Sequence, residues 1–205
     1  MNLYGASGHA KVVIDIIHSR MEEIHYVLDD NPAITGLYDY PVISSFGPEV
    51  LRRGTLVTIG DNEIRKKVVD RLDGPIFKAI YHAAAAVDPT VEFGEGTVVM
   101  ANASINADTI IGKNCIINTG ATVEHDCVLG NYVHISPNAA LAGGVVVGEG
   151  SHIGIGAVVI PGIKIGKWAT VGAGAVVIED VPDNATVVGN PGKIIKYKNE
   201  ENEQR

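Results

Sequence analysis

The triplet Glu124-His125-Asp126 sets an imidazole between two carboxylates. A histidine so flanked can be held in one orientation and kept basic near neutral pH, the requirement for a general base. His134 follows nine residues later, and His152 eighteen beyond that. Near the start, Gly5-Ala6-Ser7-Gly8-His9 runs into apolar residues at helical spacing. Glycines there let backbone approach an anion, and the helix that follows aims free N–H groups at it. Asp29 and Asp30 close one apolar run, while Gly60, Asn62 and Arg65 follow another, so three loops converge on the carboxyl edge of a parallel sheet, where ligands bind. Between Ala79 and Ile163 the only Lys or Arg is Lys113, whereas Lys164, Lys167, Lys193, Lys196 and Lys198 gather late. In a chain of formal charge -8, that zone suits a polyphosphate.

Two kinds of element must position these groups. Over residues 1–82, apolar runs at 1–4, 24–28, 56–59 and 76–80 alternate with helical patterns at 10–17 and 61–72, which predicts a small Rossmann-like parallel sheet with right-handed crossovers. From Ala85 the period becomes six. Every third position of the hexads from Val87 to Val177 is large and apolar, sixteen in succession. If about 40% of positions were apolar, such a run would arise on the order of once in 10⁶ registers. The first position is mostly small, as at Ala103, Cys115, Ala121 and Ala139, and Gly94, Gly112, Gly130, Gly148 and Gly166 recur every eighteen residues. Three hexads therefore make one turn of a triangular parallel β-prism over 83–180, with a cap and a fraying tail over 181–205. His125 falls at the fifth hexad position, beside a bend, where its side chain projects outward. His134 lies half a turn away, so both rings reach one pocket only where neighbouring prisms pack side by side, which predicts a homotrimer.

The 205 residues allow a sizeable core, and 46% hydrophobic content with only 5% aromatics makes that core small and aliphatic. The acidic balance excludes a protein that neutralises a long nucleic-acid backbone. Neither a membrane span nor a signal-peptide pattern is expected, which points to a cytoplasmic location. Cys115 and Cys127 match no metal knuckle or redox pair and read as buried, inert thiols, which favours direct transfer over an acyl-enzyme.

The hexads, with the exit Val181-Pro182 and Val188-Gly189-Asn190-Pro191-Gly192-Lys193, resemble the left-handed parallel β-helix of the hexapeptide-repeat acyltransferases. Joined to Gly5-Ala6-Ser7-Gly8-His9, the whole chain except its tail is similar to the sugar acetyltransferases that N-acetylate UDP-4-amino-4,6-dideoxy sugars and to their sialic-acid O-acetyltransferase relatives. The left hand of the helix is implied by the family; the period does not fix it.

The resemblance implies acetyl transfer from acetyl-CoA to the 4-amino group of a nucleotide-linked sugar, without metal, at a site between subunits. His125 becomes the general base with Asp126 as its partner and Glu124 as the substitute, His134 directs an N–H at the thioester carbonyl, and Asn118 lies near the amino sugar. Ser7, Gly8 and His9, with Gly5, fall by the pyrophosphate, and Asp29, Asp30, Gly60, Asn62 and Arg65 around the nucleoside. Coenzyme A is expected along His134, Gly143, Ile153, Lys164, Lys167 and Lys193. The glycine loop lacks the GxGxxG fingerprint, so a dinucleotide cofactor is not expected. Two other activities stay open on the same frame: a sugar O-acetyltransferase, and a zinc lyase or hydrolase, for which a third converging histidine is missing. A non-catalytic sugar-nucleotide scaffold is disfavoured by the polar Asn118, Glu124, His125 and His134 on otherwise plain coils.

Overall fold

The computed structural model describes residues 1–198; the expected fraying tail, 199–205, lies outside the described residues. The chain opens with β1 (Asn2–Tyr4), α1 (Gly8–Ser19), β2 (Tyr26–Leu28), β3 (Gly36–Leu37), β4 (Tyr40–Ile43), α2 (Pro48–Leu51), β5 (Thr55–Val57) and α3 (Asn62–Arg71). β1 runs parallel between β2 and β5, and β4 joins β2 in parallel. α1 buries Ala10, Val13, Ile14, Ile16 and Ile17, the stripe its spacing dictates. α3 starts where Asp61 caps it by accepting from the Ile64 N–H at 2.9 Å.

Among the strands of this half, two features depart from the sequence expectation, and the short helix α2 is a further addition. The antiparallel β3–β4 pair carries too few alternating apolar positions to register as strands. The apolar run 76–80 is not a further strand of the first sheet. Ile76 makes only an isolated bridge to Thr55, while Ile80–Tyr81 pairs in parallel with Val98–Val99, eighteen residues on. The prism thus begins at Ile80.

From there two-residue strands recur every six residues and stack into three parallel sheets, the faces of a left-handed parallel β-helix. The first face presents Ile80, Val98, Ile116, His134, His152 and Thr170; the second runs through Ser104, Thr122, Ala140 and Val158; the third through Ile110, Val128, Val146 and Lys164. The third hexad position points inward. From Val99 to Val177 it is buried at every coil, and only Val87 and Phe93, at the open end, are partly covered. The sixth position makes the corner in left-handed backbone, at Asn102, Asp108, Asn114, Asp126 and Asn138 and at glycines 120, 144, 150, 156, 162 and 174. Asn, Asp and Gly hold that conformation at least cost. The eighteen-residue glycine period marks the corner leaving the third face, where a Cβ on Gly112 would stand 2.7 Å from the backbone of the next coil.

The lower coils of the first face are covered by the N-terminal domain, since Ile80, Val98, Met100 and Ile116 share a core with Met1, Leu3 and the buried stripe of α1. A strand at Ala185–Val188 extends that face, and Lys193–Tyr197 folds back antiparallel as a cap.

Candidate active site

His125 sits at the corner between the second and third faces, and its side chain is 61% exposed. Its Nδ1 lies 2.7 Å from Asp126 Oδ2, and this hydrogen bond raises the pKa of the ring above the ordinary histidine value. Asp126 serves twice: its left-handed backbone turns the corner, and its carboxylate orients the ring. Glu124 does not take that place, because its Oε2 accepts from Asn106 Nδ2 at 2.7 Å. Gly143, one coil on, lies directly against the imidazole.

His134 occupies a different side of the prism. Its ring stacks on His152 with centroids 4.7 Å apart and planes 8° from parallel. Burial, then the neighbouring His152, Arg65 and His9, push the His134 pKa down to about 3, against a hydrogen bond to the Gly60 backbone that acts the other way. The ring is therefore neutral. Its Nε2 lies 3.1 Å from Asn118 Nδ2, and Asn118 Oδ1 accepts from the Thr119 N–H, which fixes the amide so that its nitrogen donates to the ring. The proton consequently resides on Nδ1. The N–H expected toward a thioester carbonyl would therefore come from Nδ1, because in the protomer Nε2 accepts. His152 in turn meets Ser136 Oγ at 2.7 Å.

In the N-terminal domain, Gly5 adopts φ +108°, and a Cβ there would press within 2.9 Å of Ile59. Ser7 stands at the N-cap of α1 but its side chain makes no cap hydrogen bond, so the helix end keeps N–H groups for an acceptor. None of the described residues stands within 4 Å of where a Cβ on Gly8 would project, which leaves the approach clear of them. The His9 Nε2 is buried without a partner among the described residues, and desolvation followed by the Arg65 charge lowers its pKa to about 4.

The acidic and polar loop residues are more occupied than expected. Asp29 accepts from the Ala6 and Asn31 N–H groups at 2.7 and 2.9 Å, bracing the glycine loop. Asp30 is paired with Arg71 and the Tyr4 hydroxyl. Burial works to raise its carboxyl, but those two donors outweigh it and hold the pKa below the usual range. Arg65 and Asn62, expected beside a nucleoside, are both buried, and their hydrogen bonds run to the protein's own backbone and to each other, although Asn62 also lines the cleft beside Gly60. Gly60 lines a cleft of about 360 Å³ between the start of α3 and the first face, together with His134, Gly150, His152, Trp168 and Lys198.

The expected coenzyme A residues do not form one patch on a protomer. Lys164 lies on the third face and Lys167 at the corner that follows. Lys193 starts the cap strand, beside Gly192, whose N–H donates to Val176 of the coil leaving the second face. Ile153 points into the prism core and is buried, so it offers no surface to a ligand. Its expected contact is corrected by the two-residue strand alternation that turns it inward. Cys115 and Cys127 are buried free thiols, and burial pushes Cys115 up to about 11. Among the described residues, no three His, Cys, Asp or Glu converge to hold a metal, and no helix is long and apolar enough to cross a membrane. The stacking of His152 on His134 was foreshadowed by their eighteen-residue spacing. Ser136, Trp168 and Arg71 carried no such signal.

Residues 1–72 match the PglD N-terminal domain family, and segments within 90–179 match the bacterial transferase hexapeptide repeat. The structure superposes with a TM-score of 0.90 on a mutant perosamine N-acetyltransferase from Caulobacter crescentus in complex with CoA and GDP-perosamine, 42% identical over 95% of this chain and 96% of that one. It superposes with a TM-score of 0.87 on the acetyltransferase domain of PglB from Neisseria gonorrhoeae in complex with acetyl coenzyme A, 38% identical over 95% and 98%. The UDP-N-acetylbacillosamine N-acetyltransferase of Bacillus subtilis (strain 168) is 41% identical over 108 residues, which span 48% of this chain and 50% of that protein. With both halves of the fold matched, and near-complete coverage at over 40% identity, the chain belongs to the hexapeptide-repeat sugar N-acetyltransferase family.

Proposed function

We propose that this protein transfers the acetyl group of acetyl-CoA to the amine of a nucleoside-diphosphate-linked amino sugar, with a UDP-linked 4-amino-4,6-dideoxy sugar as the acceptor. The relatives named above support the class: one was crystallised with CoA and GDP-perosamine, another with acetyl coenzyme A, and a third is named for a UDP-linked sugar. The uncapped start of α1 beside the open Gly8 supplies unpaired N–H groups for a diphosphate.

The observation that carries the reading is the exposed, carboxylate-oriented His125 on a prism whose other polar groups are largely committed. The sugar amine attacks the thioester carbonyl carbon while His125 Nε2 takes a proton from the nitrogen. The tetrahedral oxyanion collapses, the C–S bond breaks, and the imidazolium returns the proton to the CoA sulfur. His134 and Asn118 line the seam as neutral groups.

The site is completed in a homotrimer. Ile110, Val128 and Val146 stack in register on the third face and are 47%, 41% and 37% exposed, an apolar stripe beside His125 suited to a second copy.

The test is release of free CoA thiol from acetyl-CoA with a panel of UDP-, GDP- and dTDP-linked amino sugars. His125→Ala is expected to lower kcat about a hundredfold or more, as for a lost general base. Turnover near wild type would overturn the role of His125, and no transfer to any amino sugar would overturn the activity.

A further inference from the structure

Arg65 is 1% exposed, and each of its five N–H donors ends on an oxygen. Nε donates to Asn114 O at 2.8 Å; Nη1 to Ile59 O and Gly60 O at 2.9 and 3.1 Å; Nη2 to Asn62 Oδ1 and Tyr132 O at 2.8 and 2.9 Å. Three of these acceptors lie at the carboxyl end of β5 and the start of α3. The other two belong to the prism. Asn114 and Tyr132 hold equivalent corners of successive coils, each two residues ahead of a first-face strand, and Tyr132 precedes His134 in this way. Asn62 extends the tether one coil further, donating to Gly150 O and Ser151 O at 3.0 and 3.3 Å. Two side chains from the first turn of α3 thus grip three successive corners.

Among the described residues, no carboxylate contacts the buried guanidinium. A strut serving stability alone is built more favourably from apolar groups, whereas a rigid five-donor fork fixes distance and angle at once. The fork meets the site at two carbonyls: Gly60 lines the same cleft as the His134 ring, and Tyr132 lies two residues ahead of His134, whose Nε2 faces Asn118.

We propose that Arg65 is a positioning residue for acetyl transfer: it sets the nucleotide-sugar domain in register with the prism corner and, through the Gly60 and Tyr132 carbonyls, keeps the His134 ring placed with Nε2 toward Asn118, as the Nδ1–H tautomer. This rests on the activity proposed above, and one arm of the test does not.

That arm is nitrogen-15 NMR of the labelled imidazoles, with His134 assigned through His134→Gln. The wild type is expected to show a single Nδ1–H tautomer at neutral pH, and Arg65→Met a mixture of tautomers or exchange with the protonated ring. In the kinetic arm, Arg65→Met is expected to lower kcat/KM for the nucleotide sugar about ten- to a hundredfold, with acetyl-CoA affinity held within about twofold, the pattern of a misplaced reactant. Arg65→Lys should not restore either readout, since an ammonium cannot span the fork. Where Arg65→Met fails to fold, Asn62→Ala keeps the guanidinium while loosening the grip, and should move both readouts less and in the same direction. An unchanged tautomer in folded Arg65→Met, or equal losses for both substrates tracking a lowered Tm, overturns the proposal. An altered tautomer in a chain without acetyl transfer would overturn the activity and leave the positioning of His134 standing.

Discussion

The imidazole of His125 rests against the bare Cα of Gly143, one coil further along the same corner: a Cβ on Gly143 would stand 2.7 Å from both Cε1 and Nε2 of the ring. Gly143 is not among the left-handed glycines, so alanine there meets no backbone penalty and acts only by displacing the ring. Gly143→Ala is expected to lower kcat about ten- to a hundredfold while Tm stays close to wild type, because a base moved by about an ångström loses its alignment. Steady-state assays beside thermal melts decide it; full activity would mean that the ring works from another position.

Asp126 is the main reason the His125 pKa lies above its ordinary value. The base form is the deprotonated ring, so kcat/KM should rise with pH as His125 loses its proton. Asp126→Asn removes the charge that favours the imidazolium, which moves this limb to lower pH and, with poorer orientation, reduces the plateau. The Glu124 carboxylate is bonded to Asn106 and is a lesser influence on the ring than Asp126, so Glu124→Gln should shift the limb less. A pH–rate profile whose acid limb ignores Asp126→Asn contradicts the pairing.

His134, at about 3, and His9, at about 4, are held neutral by burial, and His152 is lowered for the same reason. In the unfolded chain these rings take up protons near the ordinary value of about 6.5, whereas the folded chain resists until much lower pH. Unfolding therefore binds protons below about pH 6.5, and the stability fully present above that pH drains away as the pH falls toward the folded values. Tm should be nearly flat above about pH 7 and decline through about pH 6 to 4, with a shallower decline in His152→Gln. Equal slopes in the variant and the wild type would show that acid sensitivity arises elsewhere.

Val128 lies at the middle of the exposed stripe on the third face. Val128→Asp places a charge where a neighbouring prism is expected to pack, and burying it without a partner is strongly unfavourable. Sedimentation should show a trimer for the wild type and smaller species for the variant, with activity lost alongside. A monomeric variant that retains full turnover would separate the active site from the assembly.

Much of this architecture was present in the amino-acid order. The hexad period fixed the prism, since a strand of two residues repeats one environment at every coil and selects one side-chain size for each position: Ile117 and Ile135 inward, Ala121 and Ala139 at the crowded corner. The same arithmetic put His125 outward beside a bend and set His152 above His134. The sequence could not reveal that Arg65 and Asn62 clamp the two halves together, because their partners are backbone carbonyls of Asn114, Tyr132, Gly150 and Ser151, and every residue carries such a group whatever its type. Nor could it show that Oε2 of Glu124 turns to Asn106, or that Lys164 lands on the third face and Lys193 in the cap strand. Periodicity reports surroundings that recur along the chain. Contacts made once, between segments dozens of residues apart, are decided only when the two domains dock.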